Sequence, residues 1–517
     1  MKYLQSLILI IISISIYGQP GELDVAFGVD GKTIKNFTNY SAELNSIALQ
    51  SDGGIILTGT GAGSMDEDIL AVRYLSNGQL DESFGDSGEF IFNMSMFSDR
   101  SFSVTIDEFD NIYLAGHSVD SDFNQNAVLL KLLRNGEIDS TFATNGVWQS
   151  NTQTDDFITD VMFTPDNKIL IAGGTSRNSL MFPINFLLIQ LDINGNVDAS
   201  FGDNGRVIET SPPGYNPYFA SIDQNNDIVI GGFQVSGTVN VVLAKFNANG
   251  NLVESFGLNG VLIDDSPFQE FATCIAIQSN NKILIGYQVV NPNSRDFGIT
   301  RYNEDASLDL SFGVDGRMST DLSNTTDIPF SILIQDDDKI ILSGFSDSGS
   351  NRNYTIVRFC YNGTIDTIFG NDGFVITDFG FDDTISSSIL DSNDRLLCAG
   401  FSIDTTDIAS FSIARYLTKF ISNTSPHLVE EDVSIVFPNP SNGTIYISGL
   451  KEVQDLDRII LRNRNGVIVY IIEQELWHTV NEDMIRIELM NDVQAGLYFV
   501  DIIKNNIKNI KKIVVQR

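Results

Sequence analysis

Residues 80–88 read Leu-Asp-Glu-Ser-Phe-Gly-Asp-Ser-Gly, and this stretch decides the fold because versions of it occur seven times. The copies place a phenylalanine at Phe27, Phe84, Phe142, Phe201, Phe256, Phe312 and Phe369, with successive separations of 57, 58, 59, 55, 56 and 57 residues. So regular a period marks a stack of one supersecondary unit, each copy burying its apolar faces against its neighbours.

Working outward from residues 80–88, the unit contains four strand-like runs. Upstream, SIALQSDGGIILTGTG (46–61) is two apolar runs separated by the polar turn Ser51-Asp52-Gly53, the second climbing to a glycine. That glycine recurs at Gly59, Gly116, Gly173, Gly232, Gly286, Gly344 and Gly400. A third run, DILAVRYL (68–75), ends at Asn77-Gly78, the favoured type I′ pair because both residues tolerate positive φ. Asn135-Gly136, Asn194-Gly195, Asn249-Gly250 and Asn362-Gly363 repeat the pair, whereas Asp305-Ala306 breaks it, so a different turn is expected there. The fourth run is EFIF (89–92). Apolar runs such as IILTG and ILIAGG need cover on both faces, which stacked sheets supply. The phenylalanine of each motif is expected to fill the space between adjacent blades, and the glycine after it to turn the chain toward the next. A core of that kind accounts for 35 Phe.

The two ends of the repeat region complement each other. The first motif has no strands before it, and the last strand set, FSIARY (411–416), has no motif after it. Joining them makes seven full units and removes unpaired sheet edges. The expected fold is therefore all-β, a seven-bladed β-propeller of about 57-residue repeats followed by a small β-sandwich domain. The motif LDxxFGxxG at this spacing resembles the delta-60 repeats of bacterial surface proteins, a family predicted to form β-propellers and without an established activity. The resemblance covers about residues 20–420 and supplies no catalytic residues.

Beyond a polar linker at 421–432, the composition changes. Residues 430–517 hold 13 acids and 10 bases, which leaves −33 of the chain's −36 on residues 1–429. Alternating strands with turns at Asn442-Gly443 and Asn465-Gly466 suggest a β-sandwich of about seven strands over 433–517. Pro438-Asn439-Pro440, then Asn442-Gly443, then Gly496-Leu497-Tyr498-Phe499-Val500, then Lys511-Lys512-Ile513-Val514-Val515 resemble the type A C-terminal sorting domain of the type IX secretion system, known from the Bacteroidetes. The sorting-signal residues carried by that resemblance are Pro438, Asn439, Pro440, Asn442, Gly443, Gly496, Tyr498, Phe499, Lys511, Lys512 and Val514. It implies handling by the type IX machinery, removal of the domain, and release or attachment to a surface glycolipid.

At the other end, Lys2, the apolar run Leu7 to Ile16 and Tyr17-Gly18-Gln19 read as a signal peptide over 1–18, too short to span a bilayer. No later run approaches the roughly 18 apolar residues of a membrane helix, so the mature chain is expected to lack a transmembrane segment and to be secreted or held at the outer surface. Cys274, Cys360 and Cys398 lie in apolar strand-like runs and read as small thiols rather than a disulfide framework.

The formal charge of −36 excludes nucleic acid and anionic lipid as partners, because a phosphate backbone is held by Lys and Arg in numbers lacking here. Of three histidines only His117 lies in the propeller, and His117, Ser118 and Asp120 are too close in sequence to form a relay. No H-E-x-x-H, G-x-S-x-G or phosphate-loop motif occurs. Asp223 to Asp227, Asp336-Asp337-Asp338 and Asp391 to Asp394 look oxygen-rich enough for Ca2+, yet they occupy hairpin turns, where Asp and Asn bond the backbone. No cofactor and no catalytic residue is expected, with Ca2+ as the alternative at those turns. The expected function is non-catalytic binding of a glycan or surface protein. The alternatives are a carbohydrate-active hydrolase or lyase on the propeller and a purely structural surface or adhesin role.

Overall fold

Seven four-stranded antiparallel sheets follow one another along the chain in the computed structural model. It describes residues 17–422 except 65, 151, 153, 177–183, 211–213, 236–237, 267–268, 293, 323–324 and 350. Further on, it describes 435–437, 444–448, 456–463, 468–472, 477–481, 484–489, 496–504 and 507–515. The chain divides into two compact units, residues 1–423 and 424–517.

Blade 1 comprises Ser41–Leu49, Ile55–Ala62, Glu67–Tyr74 and Glu89–Phe92, each strand paired to the next. Blades 2 to 6 repeat that order from Asp99–Ile106, Asp155–Phe163, Tyr215–Ile222, Gln269–Ile277 and Asp327–Ile334. Blade 7 begins with Asp382–Leu390 and takes its fourth strand from the other end of the chain, where Lys32–Lys35 pairs with Ala409–Tyr416. The first strand of each blade lies against that of the next, round to Asp382–Leu390 against Ser41–Leu49. These seven first strands surround an axis, and the strand exchange in blade 7 leaves no open seam.

The core sits in the seams. At one of them Phe84 packs with Ile56, Ile69 and Ala71 of blade 1 and with Val104, Leu114 and Val128 of blade 2. All seven motif phenylalanines are buried to within about one per cent. The closing seam joins Phe27, Leu44 and Leu57 to Leu397, Ala399 and Phe411. The glycine after each phenylalanine acts otherwise than its sequence position suggested. Gly85 (φ +55°) turns the chain into the fourth strand of its own blade, where a Cβ would stand 2.2 Å from the Glu89 carbonyl oxygen. Its amide meanwhile donates to the Asn135 carbonyl of the next blade.

The second hairpin also differs from expectation. Gly78 donates to Leu75 O and is left-handed (φ +84°), while Asn77 is not among the positive-φ residues. The turn is therefore an ordinary i to i+3 turn followed by one left-handed residue, not a type I′ pair. Asp305-Ala306 adopts the same turn rather than another. Ala306 donates to Asn303 O with φ +71°, so an alanine sits where the other blades place glycine.

Cys274 and Cys398 are buried thiols, pushed up to about 12 by desolvation, and Cys360 is half-buried. The second unit contains eight described strands in two four-stranded antiparallel sheets, one more than the sequence suggested. Ile445, Ile447, Ile485 and Ile487 are buried in one sheet, and Ile459, Leu461, Tyr498 and Val500 in the other.

Candidate ligand-binding face

Each blade runs between two faces of the disc. One face carries the seven motifs and the first hairpin turns. The other carries the connections between blades and between second and third strands.

On the motif face the charged side chains are consumed internally. Arg358 pairs with Asp366 at 2.9 Å, stacks over Phe369 at 4.5 Å, and donates to the Thr418 carbonyl of the next blade. Arg301 repeats this with Asp309, Phe312 and Tyr361 O, and Arg415 with Asp24, Phe27 and Ser76 O. The turns considered for Ca2+ hold their own cations and backbone donors. Lys245 lies 2.7 Å from Asp223 and 3.3 Å from Asp227, and Asp223 also accepts the amides of Asn225 and Asp227. Asp391 accepts Asn393 N, Arg395 N and the Arg395 guanidinium, while Asp337 pairs with Lys339.

On the other face, each first strand bulges by one residue: at Asn45, Phe102, Thr159, Tyr218, Thr273, Phe330 and Ser386 in turn. The bulge explains the recurring glycine. A Cβ on Gly116 would stand 1.8 Å from Arg100 O, and Gly59, Gly173, Gly232, Gly344 and Gly400 face equivalent carbonyls at 1.8 to 2.0 Å. Gly286 does not belong to this set. In blade 5 the bulged strand pairs Ala272 with Tyr287, so Tyr287 holds the register position, and Gly298 opposite leaves room for its ring.

In four blades the residue after the bulge ties its blade to the next. Ser46, Ser103 and Ser331 accept the amides of Val104, Val161 and Ser388, and Asp160 accepts Ala220 N at 3.0 Å. Burial raises the Asp160 carboxyl to about 6. Desolvation likewise raises Asp383, which accepts Ser402 Oγ and Phe379 N, to about 6. Glu270 rises to about 7, desolvation outweighing the Arg317 guanidinium beside it. Asp296, Asp321 and Asp327 place carboxylate oxygens within 4.8 Å of one another; Asp327 is already bonded by Ser346 and Leu322 N.

Aromatic side chains gather at the bulges. Tyr218 lies 5.4 Å from Phe233, which lies 5.0 Å from Phe271 of the next blade; Phe330 lies 6.1 Å from Phe345. Phe102 lies 5.3 Å from His117. Desolvation holds His117 neutral, its pKa lowered to about 3, and its Nδ1 has no partner. Asp120 meanwhile accepts the amides of Asp122 and Asn124 in a turn, which leaves no relay with His117. Unpartnered buried polar atoms concentrate on this face: Thr60 Oγ1, Asp99 Oδ1, His117 Nδ1, Tyr215 OH and Asn240 Oδ1. Sequence reading followed the motif phenylalanines and missed these residues. The available signal was the residue just after the recurring glycine, which is His117, Phe233, Phe345 or Phe401 in four units.

In the second unit, Gly496, Tyr498 and Phe499 lie on Gly496–Lys504, and Lys511, Lys512 and Val514 on Ile507–Val515. The two strands pair, with Phe499 opposite Lys512 and Leu497 opposite Val514. Pro438, Asn439, Pro440, Asn442 and Gly443 fall outside the described residues, as does 1–16 of the N-terminal segment. Tyr17–Gly18 pairs with Ile421–Ser422.

Residues 435–516 match the family model of the secretion system C-terminal sorting domain. The chain carries an export tail. That tail indicates passage through the type IX secretion system to the cell surface or outside. Residues 50–84, 164–201 and 278–312 match a β-propeller domain of unknown function, DUF5122. No curated protein matches the chain in sequence. Among solved structures, the chain is similar to a PL25 ulvan lyase at 10% identity and a TM-score of 0.45, covering 75% of this chain and 98% of that one. It is similar to the polysaccharide lyase Uly1 at 9% and 0.44, over 78% and 97%. Sqt1 of Chaetomium thermophilum stands at 11% and 0.42, over 76% and 99%. No helix among the described residues is long and apolar enough to cross a membrane.

Proposed function

We propose that the chain is an exported, non-catalytic interaction module whose propeller offers its bulge-bearing face to an extracellular glycan or protein. The observation that carries this reading is the asymmetry of unmet bonding capacity. Among the described residues of the propeller, five buried polar atoms without partners lie on the bulge-bearing face, bonding capacity that water, or a local rearrangement on ligand binding, would meet. A catalytic reading would draw on His117, but its ring is buried beneath Phe102. Removal of residues 1–18 as a signal peptide, and attachment or release after sorting, belong to the same proposal. The test is to incubate the full chain with polysaccharides and extracellular matrix proteins, measuring retention and released reducing sugar together. Saturable retention without release supports the module; release of sugar overturns it.

A further inference from the structure

We propose that blades 3 to 5 bind a neutral polysaccharide chain, a sugar ring stacked on Tyr218 with Phe233 and Phe271 backing it. This rests on the interaction-module reading and narrows it to one ligand class and one ledge. Tyr218 is raised on the blade 4 bulge and is 48% exposed, between the buried Pro217 and Phe219, while Phe233 and Phe271 are half-buried. Phe233 continues the ledge at 5.4 Å, and Phe271 crosses the seam into blade 5 at 5.0 Å and 70°. Toward blade 3, Gly174 leaves room for Phe157 to approach Pro217; a Cβ there would stand 2.4 Å from the Phe157 ring and 2.8 Å from the Pro217 ring. With Phe233 tilted by 34° behind it and Phe271 edge-on to Phe233, it is the exposed Tyr218 ring that offers a flat face, of the kind that matches the C–H face of a pyranose unit.

The nearby guanidinium groups are already engaged. Arg206 binds Asp156, Arg317 binds Asp264 and Glu270, and Arg295 binds Gln288. With −33 on residues 1–429, a polyuronate or sulfated chain meets repulsion and finds no free cation among these groups. Asp156, Asp264 and Glu270 are themselves held by these guanidinium groups, so a basic protein segment finds no free carboxylate among them.

The test compares the full chain with Tyr218→Ala and with Phe109→Ala, an exposed phenylalanine on the motif face, by calorimetric titration. Probes are a mixed-linkage β-glucan, a galactomannan, alginate and a sulfated galactan, with thermal melting to verify folding. The expected result is saturable binding of a neutral probe, weakened at least about tenfold by Tyr218→Ala and unchanged by Phe109→Ala. Neutral binding that survives Tyr218→Ala overturns the ledge and leaves the interaction module standing. Binding of the acidic probes alone, or of none of the four, overturns the ligand class. Sugar release in the same cells overturns the module itself.

Discussion

The two faces of the propeller are built from the same repeats and obey different rules. On the motif face one solution is used again and again: phenylalanine in the seam, an Asp-bound cation over or beside it, and a glycine amide or guanidinium reaching the next blade. On the bulge-bearing face the backbone repeats and the side chains do not. The seven bulge positions hold Asn, Phe, Thr, Tyr, Thr, Phe and Ser. Some of these side chains bond the next blade, as Asn45 does to Ser101 O and Thr273 to Pro329 O, while Tyr218 is exposed. The contrast teaches that closing the ring is achieved with one repeated set of side chains on the motif face and with differing side chains on the other.

The largest effect should come from breaking the uniform face. Arg358 is 1% exposed and holds Asp366, Phe369 and Thr418 O at once. Arg358→Ala strands a buried carboxylate and should cost about 3–5 kcal/mol in denaturant unfolding, without moving any ligand affinity of the opposite face. A loss under about 1 kcal/mol would mean that the seams do not depend on this staple.

The next effect is electrostatic and separates the faces by pH. Asp160 and Asp383, raised to about 6, and Glu270, raised to about 7, bind protons more tightly folded than unfolded. Their contribution therefore declines as pH rises from about 4 to 7. His117, lowered to about 3, acts in the opposite sense over part of that window, one group against three. The melting temperature should consequently be higher near pH 5 than near pH 7.5. Asp160→Asn keeps an acceptor for Ala220 N and should remove on the order of 2–3 kcal/mol of that dependence. An unchanged pH profile in this variant would show that Asp160 ionises freely.

These differences also explain what the sequence revealed. The blade number, the strand order and the exchange of Lys32–Lys35 into blade 7 were legible because each follows from apolar runs and one period. Turn types were less legible. Asn77-Gly78 is compatible with two hairpins, and only the φ of Asn77 decides between them. Gly286 shows the harder limit: it aligns by eye with the other glycines, but it stands one residue earlier in its strand, at the position of Thr58 in blade 1, and Tyr287 takes the place opposite the bulge. The aromatic ledge was illegible because its members come from different strands, Tyr218 from a first strand and Phe233 from a second. They meet only once the bulge fixes their register.

The smallest effect tests whether the uniformity of the motif face is itself a stability device. Ala143 stands where Gly28, Gly85, Gly202, Gly257, Gly313 and Gly370 have φ of +54° to +56°, and it is held at φ +42°. An L-residue in that region is strained through its Cβ, and the Ala143 side chain is exposed, so no core contact is lost on removing it. Ala143→Gly should therefore stabilise the chain by about 0.5–1 kcal/mol, the unfolded-state entropy of glycine offsetting part of the relieved strain. Ala306→Gly offers a control with the same strain at φ +71° but a buried methyl in the blade 4 to 5 core, so its gain should be smaller. If neither substitution stabilises, the glycines of the motif serve close approach between chain segments more than left-handed φ. The 2.2 Å separation from Glu89 O at Gly85 would then be the stronger reason for the motif's first glycine.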